Sequence, residues 1–255
     1  MVAGEFRRRC RRPACGGLLY PRRVMTYVNR LGVDVPRTGE PPQGDAVAAW
    51  SLDTTLDVVG GHRVAEALPL LDAEERDRAE RFVRPGDRHR YVASHLGLRL
   101  LLGGYLGLAP EKVALIRESC PCCGAPHGRP AVAGAGVQFS LSHSDDMAYL
   151  AFAGAAVGVD VEKVPGDDVV ADVIDLLHPS ETAELAALPA SGRRIPMARM
   201  WARKEAYLKA TGAGLADGLA EPYVGTGPDP ASLAGWYLAD LPAPPAYAAA
   251  LALRT

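Results

Sequence analysis

The stretch VQFSLSHSDDMAYLAFAGAAVGVDVE, residues 137–162, contains three short apolar runs that are separated by turn residues. Asp145 and Asp146 separate the first run from the second, and Gly154 follows the second. Short apolar runs bounded in this way are typical of β-strands joined by tight turns. The stretch therefore predicts an antiparallel meander of three strands.

The third run, VGVDVE (157–162), carries two acidic residues in alternating positions. A strand would turn its valines to one face and Gly158, Asp160 and Glu162 to the other. Neighbouring carboxylates repel each other unless a cation holds them, and Mg²⁺ prefers such oxygen ligands. A solvated strand face with two acids fits the pattern equally well. Gly158 favours the metal hypothesis slightly, because a missing side chain lets a ligand approach the backbone.

The first run, FSLSHS (139–144), ends in a histidine whose neighbours on the same face are apolar. Alternation places Phe139, Leu141 and His143 together, a setting in which a histidine is more often a core residue than a catalyst. Arg129, in the preceding HGRP, stands before a proline that favours extended backbone. Its guanidinium is suited to holding a phosphate, although arginines on protein surfaces are common.

The stretch WARKEAYLK (201–209) reads as a helix that carries charge beside a tryptophan. Trp201, Lys204, Glu205 and Leu208 fall within an arc of roughly 100°. Lys209 lies one turn beyond Glu205, in the favourable order for a pair on an exposed helix. Taken alone, the pattern favours a solvated helix that pairs its own charges.

The remaining patterns alternate helices with short strands. DAVAAWSLD (45–53) predicts a strand, LDAEERDRAERF (71–82) predicts a helix with a capping box from Asp72 to Glu75, and residues 88–105 predict a second helix. A helical region at 167–188 and two strand-like runs, WYLADL (236–241) and AYAAALAL (246–253), complete the chain. This order predicts an α+β fold with two halves, residues 45–152 and 153–255.

Residues 1–44 form a basic segment rich in Arg, Gly and Pro, without periodicity. We expect this segment to be a disordered extension outside the fold. Either it has no role of its own, or it is included only because the start codon was assigned upstream of Met25. A nucleic-acid tail and a transit peptide are the less favoured interpretations. The run CPCCGAPH offers Cys120, Cys123 and His127 as three ligands for zinc, which needs four. A turn-rich loop with free thiols is the favoured interpretation, and zinc stays open.

Composition narrows the classes of function. The chain has 255 residues, of which 48% are hydrophobic and 23% charged, and a formal net charge of −2. This near-neutral balance argues against a general nucleic-acid binder. No apolar run approaches the roughly 20 residues of a membrane span, and no signal peptide is evident. We expect a monomeric protein of the cytoplasm.

Taken in order, GRP, FSLSHS, GVDVE and WARKEAYLK resemble the motifs of the 4′-phosphopantetheinyl transferases of the surfactin-synthetase-activating type. The resemblance covers residues 45 to the C-terminus. It implies a fold of two similar halves related by a pseudo-twofold axis, each a small, mainly antiparallel sheet packed with helices. The chain departs from the family at Ser140, where asparagine is common, and at Arg129, where lysine is usual.

The resemblance also implies an activity: transfer of the phosphopantetheine arm of coenzyme A to a serine of an acyl or peptidyl carrier protein, with Mg²⁺. Glu205 would accept the serine proton, and Lys204 and Lys209 would contact phosphate and orient Glu205. The roles implied for the other residues are metal ligation by Asp160, Glu162 and Glu181, and coenzyme A binding by Arg90, Arg129, Ser142 and His143. The GC-rich composition suggests polyketide or nonribosomal peptide synthases as the systems served.

Two other classes of function are less well supported by the residues. A Mg²⁺-dependent nuclease usually has its lysine two positions after the acid, whereas Lys163 directly follows Glu162 and falls on the opposite strand face. A coenzyme A binding module without transfer activity would be expected to lack Glu205 or the acidic residues of the metal site, and all of these are present.

Overall fold

The computed structural model describes residues 28–126, 128–212 and 220–255. Within these ranges the chain forms two main sheets, each packed against one long helix. The elements are β1 (Val28–Leu31), β2 (Val47–Asp53), β3 (Val58–Val59), β4 (His62–Arg63), α1 (Ala73–Glu80), α2 (Pro85–Leu106), β5 (Leu115–Arg117), β6 (Pro130–Val132), β7 (Gln138–Ser144), β8 (Met147–Ala153), β9 (Val157–Lys163), α3 (Asp167–Val173), α4 (Pro179–Ala186), α5 (Arg194–Thr211), β10 (Trp236–Leu241) and β11 (Tyr247–Arg254).

The first sheet has the strand order β1-β2-β8-β7 and packs against α2. β2 and β8 are antiparallel, as are β8 and β7. α1, which precedes α2, begins with the expected capping box: Asp72 accepts the backbone N–H of Glu75, and the Glu75 carboxylate accepts that of Asp72. This reciprocal pair satisfies two N–H groups that a helix start would otherwise leave unpaired.

The second sheet has the order β10-β11-β9, and both of its pairings are antiparallel. The sequence-based meander is therefore correct for β7 and β8 but wrong for β9, which pairs with β11 instead of β8. Alternation along a strand fixes which residues share a face, but it does not identify the neighbouring strand. As a result, the acidic strand lies at the edge of a different sheet.

Serine hydroxyls join the two sheets along the line where β7 and β9 lie side by side. Ser140 Oγ accepts the backbone N–H of Val159 at 3.1 Å, and Ser144 Oγ accepts that of Lys163 at 3.2 Å. Between them, Ser142 Oγ donates to Asp160 Oδ1 at 2.7 Å. Alternate residues of β7 thus link the two sheets, while Phe139, Leu141 and His143 share the other face as the alternation predicts.

Gly158 allows α5 to lie directly against β9. A Cβ atom at this position would come within 1.9 Å of the Ala206 carbonyl oxygen and 2.6 Å of the Ala210 nitrogen. The space that the sequence assigned to a ligand is therefore filled by the backbone of α5. This close contact fixes the height of α5 above Asp160 and Glu162, and so the position of the charged residues on its facing side.

The prediction that residues 1–44 lie outside the fold was wrong for the part of this segment that forms β1. β1 pairs in parallel with β2, and Leu31 is buried in the core beside Leu52. A four-residue strand with arginine and asparagine between apolar residues has too little periodicity to be recognised from sequence. Residues 1–27, with their basic cluster, lie outside the described residues.

The architecture agrees with the expected α+β class: small, mainly antiparallel sheets packed with helices. The helical region predicted at 167–188 divides into α3 and α4, with Pro179 in the first turn of α4. Pro is favoured there because its missing N–H would have no partner in the helix. Over the residues described, no helix is both long and apolar enough to cross a bilayer.

Candidate active site

A cavity of about 640 Å³ lies between the first-half helices, β7 and the C-terminal part of α5. Its lining comes from α1 and α2, from the hairpin of β5 and β6, and from β7 and α5. The charged and polar residues that line it include Arg78, Tyr91, His95, Arg129, His143, Glu205 and Lys209. This volume falls in the range of small-molecule sites.

Asp160 is the most deeply buried acid of this region, with an exposed fraction of 1%. Its Oδ1 atom accepts hydrogen bonds from Ser142 Oγ at 2.7 Å and from Lys209 Nζ at 2.6 Å. Its Oδ2 atom is buried without a hydrogen-bond partner. Burial raises the pKa of Asp160, while Lys209 and Ser142 oppose that rise. Ser142 therefore serves to position Asp160, and its buried hydroxyl is not exposed to a ligand.

Glu162 and Glu205 add two more negative groups beside Asp160. Burial first, and the Asp160 charge second, raise the pKa of Glu162 to about 7. The same two causes raise the pKa of Glu205, which Lys209 lowers only in part. Lysines flanking Glu205 would be expected to weaken it as a base, but the structure places Lys204 elsewhere. A raised pKa makes Glu205 a better proton acceptor than an ordinary glutamate.

These carboxylates fit a hard divalent cation. The buried Oδ2 of Asp160 lacks a partner, and the charges of Asp160, Glu162 and Glu205 destabilise one another. Carboxylate oxygens are the donors that Mg²⁺ prefers. In the described ranges, however, no three acidic, histidine or cysteine side chains are close enough to form a ready-made metal cluster. A cation would therefore have to draw these side chains together.

We expect Glu162→Gln to stabilise the metal-free protein at high pH. The folded-state pKa of about 7 exceeds the ordinary 4.5, so the folded form holds the proton more tightly, and its stability falls as pH rises from 4.5 through 7. At pH 8 in a chelator, the variant should gain about 1–3 kcal/mol in the free energy of unfolding, and little at pH 4. Urea denaturation measures this difference.

The exposed Glu111→Gln is the matched control for this measurement and should leave stability unchanged at both pH values. Equal stability of Glu162→Gln and the wild-type protein at pH 8 would contradict the repulsion inferred between Glu162 and Asp160.

Lys204 and Glu181 lie away from this cavity, contrary to the roles that the resemblance implied. Lys204 is 1% exposed and Glu181 is fully buried. Lys204 Nζ forms an ion pair with Glu181 Oε2 at 2.8 Å, although the angles of this contact are not those of a hydrogen bond. Lys204 Nζ donates its hydrogen bond to the Pro222 carbonyl at 2.6 Å. Glu181 Oε1 accepts the backbone N–H of Val224 at 2.8 Å. The pair therefore joins α4 and α5 to the segment around Pro222.

His143 and Arg129 both line the cavity. The imidazole of His143 is accessible, but the surrounding protein removes enough water to lower its pKa, with further lowering by the charges of His95, Lys209 and Arg78. Arg129 Nε donates to Glu118 Oε2 at 2.6 Å, and Arg129 Nη1 donates to the Ala210 carbonyl at 3.3 Å. Arg129 thus ties the hairpin of β5 and β6 to the end of α5.

Arg90 lies outside the lining of this cavity, although it was expected near a nucleotide. Its Nε and Nη2 atoms donate to Asp146 Oδ1 at 2.8 and 2.6 Å, and Asp87 and Asp145 lie nearby. The hydrogen bond to Asp146 raises the pKa of Arg90. In this structure the guanidinium stabilises the turn between β7 and β8.

The cysteine loop forms the tip of the hairpin between β5 and β6. Cys120 is buried, and hydrogen bonds from the backbone of Cys123 and Cys122 lower the pKa of its thiol. Cys120, Cys122 and Cys123 form no disulfide bond with one another, and the described residues contain no cluster of metal ligands. His127, Cys10 and Cys15 lie outside the described residues.

Three cavity residues were not identified from the sequence: Arg78 on α1, and Tyr91 and His95 on α2. Tyr91 is buried and His95 half-buried on α2, and their helical spacing is as typical of a core-facing helix as of a binding site. Arg78 had no signal of its own among the many charges of α1. Only the packing of α1 and α2 beside β7 brings the three residues to one wall.

Comparison with known proteins identifies a family that the second half of the chain resembles. Residues 156–251 match the 4′-phosphopantetheinyl transferase superfamily. The matched region contains the acidic strand β9, all of α5 and most of β11, so the resemblance inferred from the motifs is confirmed.

Individual relatives extend the match into the first half. The chain is 37% identical over 152 residues to the 4′-phosphopantetheinyl transferase HetI of a Nostoc species, covering 57% of this chain and 61% of the relative. It is 28% identical over 159 residues to the 4′-phosphopantetheinyl transferase psf-1 of Bacillus pumilus, covering 62% and 64%. A 4′-phosphopantetheinyl transferase of Bacillus subtilis is 26% identical over 151 residues, with 58% and 63% covered. The chain thus spans less than two thirds of these relatives.

Proposed function

We propose that this protein transfers the 4′-phosphopantetheine group of coenzyme A to a serine of an acyl or peptidyl carrier protein. The observation that carries the proposal is the junction of β9 and α5. There Asp160 and Glu162 lie beside Glu205 and Lys209, which line a cavity large enough for a nucleotide. Phosphoryl transfer needs this combination of positioning, charge neutralisation and a proton acceptor.

In the proposed reaction, the serine Oγ of the carrier forms a bond to the phosphorus that bears the pantetheine arm. The bond between that phosphorus and the bridging oxygen breaks, and adenosine 3′,5′-bisphosphate leaves with the bond electrons. Glu205 receives the serine proton, which its raised pKa favours. Lys209, held at 2.6 Å from Asp160, supplies positive charge at the same place.

Asp160 and Glu162 would hold Mg²⁺, whose bound charge would neutralise the phosphate oxygens. The unpartnered Oδ2 of Asp160 and the raised pKa of Glu162 support this assignment. Glu181 is not included, because its carboxylate is committed to Lys204 and to the backbone of Val224. His143 and Arg129, both on the cavity wall, would contact the nucleotide.

Intact-mass spectrometry of an apo carrier protein tests the proposal. The carrier, coenzyme A and Mg²⁺ are incubated with the enzyme, and we expect a mass gain of one phosphopantetheine group that disappears when the metal is chelated. No gain with several unrelated carriers, together with measured binding of coenzyme A, would favour a binding module. Cleavage of nucleic acid under the same conditions would favour the nuclease.

We further propose where the carrier binds. A small groove beside Glu162 is lined by Val169 and Val173 of α3 and by Met197 and Trp201 of α5. Val169 is 46% exposed, although it is apolar. The groove shares Glu162 with the cluster of carboxylates. A carrier helix seated there would bring its serine to the reacting phosphate, and Lys163 on the rim suits the acidic surface expected of a carrier.

Val169→Asp should weaken carrier binding without affecting coenzyme A. An acid in the apolar groove would repel an acidic helix and remove apolar contact, so we expect KM for the carrier to rise about 10-fold. KM for coenzyme A should stay constant, since Val169 is outside the cavity. The control is Val83→Asp, because Val83 is 96% exposed in the first half. An unchanged KM for the carrier in Val169→Asp would exclude the groove.

The proposal includes a monomeric, cytoplasmic enzyme with two similar halves that divide between residues 152 and 153. The packing of one long helix against each sheet, α2 on the first and α5 on the second, supports the division. The turn at Gly154 separates the strands of the two sheets.

A further inference from the structure

The loop at the tip of the hairpin of β5 and β6 is closed by the backbone hydrogen bonds of Cys120. The Cys120 N–H donates to the Ala125 carbonyl at 2.8 Å, and the Gly124 N–H donates to the Cys120 carbonyl at 2.8 Å. Gly124 has a φ of 75° or less, at 73°, in the left-handed region that favours glycine. The run CPCCG therefore forms one tight turn that begins at Cys120 and ends at Gly124.

Within this turn, two backbone N–H groups point at the sulfur of Cys120. The N–H of Cys123 and then that of Cys122 lower the pKa of the Cys120 thiol; burial opposes them, and hydrogen bonds with the side chains of the same two residues lower the pKa further. N–H donors stabilise the negative charge of a thiolate, and the thiolate is the form of cysteine that binds a metal ion. The turn thus favours the form of Cys120 that a metal requires.

Apolar packing does not explain the burial of Cys120. The residue is 7% exposed, yet it belongs to none of the three hydrophobic clusters that the described residues form. Cys123, in contrast, is exposed. The hydrogen bond between the two side chains places their sulfur atoms next to each other. One sulfur is therefore fixed by the turn, and the other can be reached from solvent, as the entry of an ion requires.

The hairpin that carries this turn has little structure of its own. β5 and β6 have three residues each, and a two-stranded hairpin is marginally stable in water. The hairpin nevertheless positions Arg129, which donates to Glu118 and to the Ala210 carbonyl at the end of α5. A crosslink at the tip would stabilise the hairpin and, through Arg129, its contact with α5.

We propose that Cys120 and Cys123 are two thiolate ligands of a Zn²⁺ ion that stabilises this hairpin. Zn²⁺ is suited to sulfur ligands, and a spacing of two residues between the cysteines is typical of its sites. The described residues contain no group of three metal ligands, so the other ligands of a tetrahedral ion lie outside the described ranges or are water molecules. The geometry of the turn favours zinc, whereas the spacing of the cysteines alone favoured free thiols.

Co²⁺ replaces Zn²⁺ in thiolate sites and reports its ligands by absorption, so it is the probe of the first test. The reduced full-length protein, freed of metal with a chelator, is titrated with Co²⁺ in excess Mg²⁺. We expect a single Co²⁺ to bind with the near-ultraviolet charge-transfer band of cobalt–thiolate bonds, and Zn²⁺ to displace it. Mg²⁺ should not compete, because it prefers oxygen ligands.

Cys120→Ser and Cys123→Ser should each weaken Zn²⁺ binding by at least about 100-fold, since even the outer-shell partners of metal ligands account for about 10–100-fold. Cys122→Ser is the matched control, because Cys122 lies in the same turn but outside the C-x-x-C pair, and it should keep the Co²⁺ band. Alkylation of the wild-type protein, resolved by peptide mass, needs no variant and so does not depend on how a substitution folds. Zn²⁺ should slow the reaction of Cys123 with iodoacetamide and leave that of Cys122 unchanged.

Absence of the charge-transfer band in the reduced wild-type protein would overturn the proposal. A band that persists in both Cys120→Ser and Cys123→Ser would do the same, because it would come from other thiols such as Cys10 and Cys15. Loss of the band in Cys122→Ser, with Zn²⁺ protecting Cys122 and Cys123 equally, would overturn the assignment of the ligand pair.

Discussion

Glu205→Gln is expected to lower the rate of phosphopantetheine transfer by about 10²–10⁴-fold, the range for loss of a general base. Glutamine keeps the shape of the side chain but cannot accept the serine proton. Coenzyme A should still bind, because the contacts of His143, Arg129 and Lys209 on the cavity wall are unchanged. Single-turnover transfer, followed by carrier mass, separates this loss from an effect on binding.

The control for this variant is Glu80→Gln, an exposed acid at the end of α1. It should transfer at the wild-type rate. If Glu205→Gln kept a rate within about 10-fold of wild type, another group would have to take the proton. Glu162, with a pKa of about 7, would then be the nearest candidate.

Local patterns predicted most of the fold. The capping box of α1, the strands β2, β10 and β11, and the faces of β7 and β9 follow from residues close together in sequence. The pairing of β9 with β11 depends instead on strands from distant parts of the chain. No alternation of residues within β9 specifies that partner.

The sequence predicted the site residues that share one face of a strand. It did not predict the positions of residues that depend on how α5 packs against β9. Asp160 and Glu162 are on one face of β9, as alternation requires. Gly158 was interpreted as space for a ligand, yet α5 occupies that space. Lys204 and Glu205 are about 100° apart on the helix, so only the packing of α5 determines which of them faces the carboxylates.

Because Lys204 faces Glu181 and not the cavity, we expect Lys204→Met to lower the stability of the protein. Removing the ammonium leaves Glu181 buried and charged without its partner, which should lower the free energy of unfolding by about 3–5 kcal/mol. The double variant with Glu181→Gln should recover most of this loss, because glutamine removes the charge and its carbonyl can still accept from Val224. Urea denaturation of both single variants and the double variant completes the cycle.

The same Lys204→Met variant distinguishes a structural lysine from a phosphate ligand. Lys204 donates to the Pro222 carbonyl and does not line the cavity, so KM for coenzyme A should stay at the wild-type value under conditions where the variant is folded. Lys209→Met is the comparison, since Lys209 does line the cavity, and its KM for coenzyme A should rise. A Lys204→Met protein of wild-type stability with a raised KM would restore the phosphate-binding role that the motif implied.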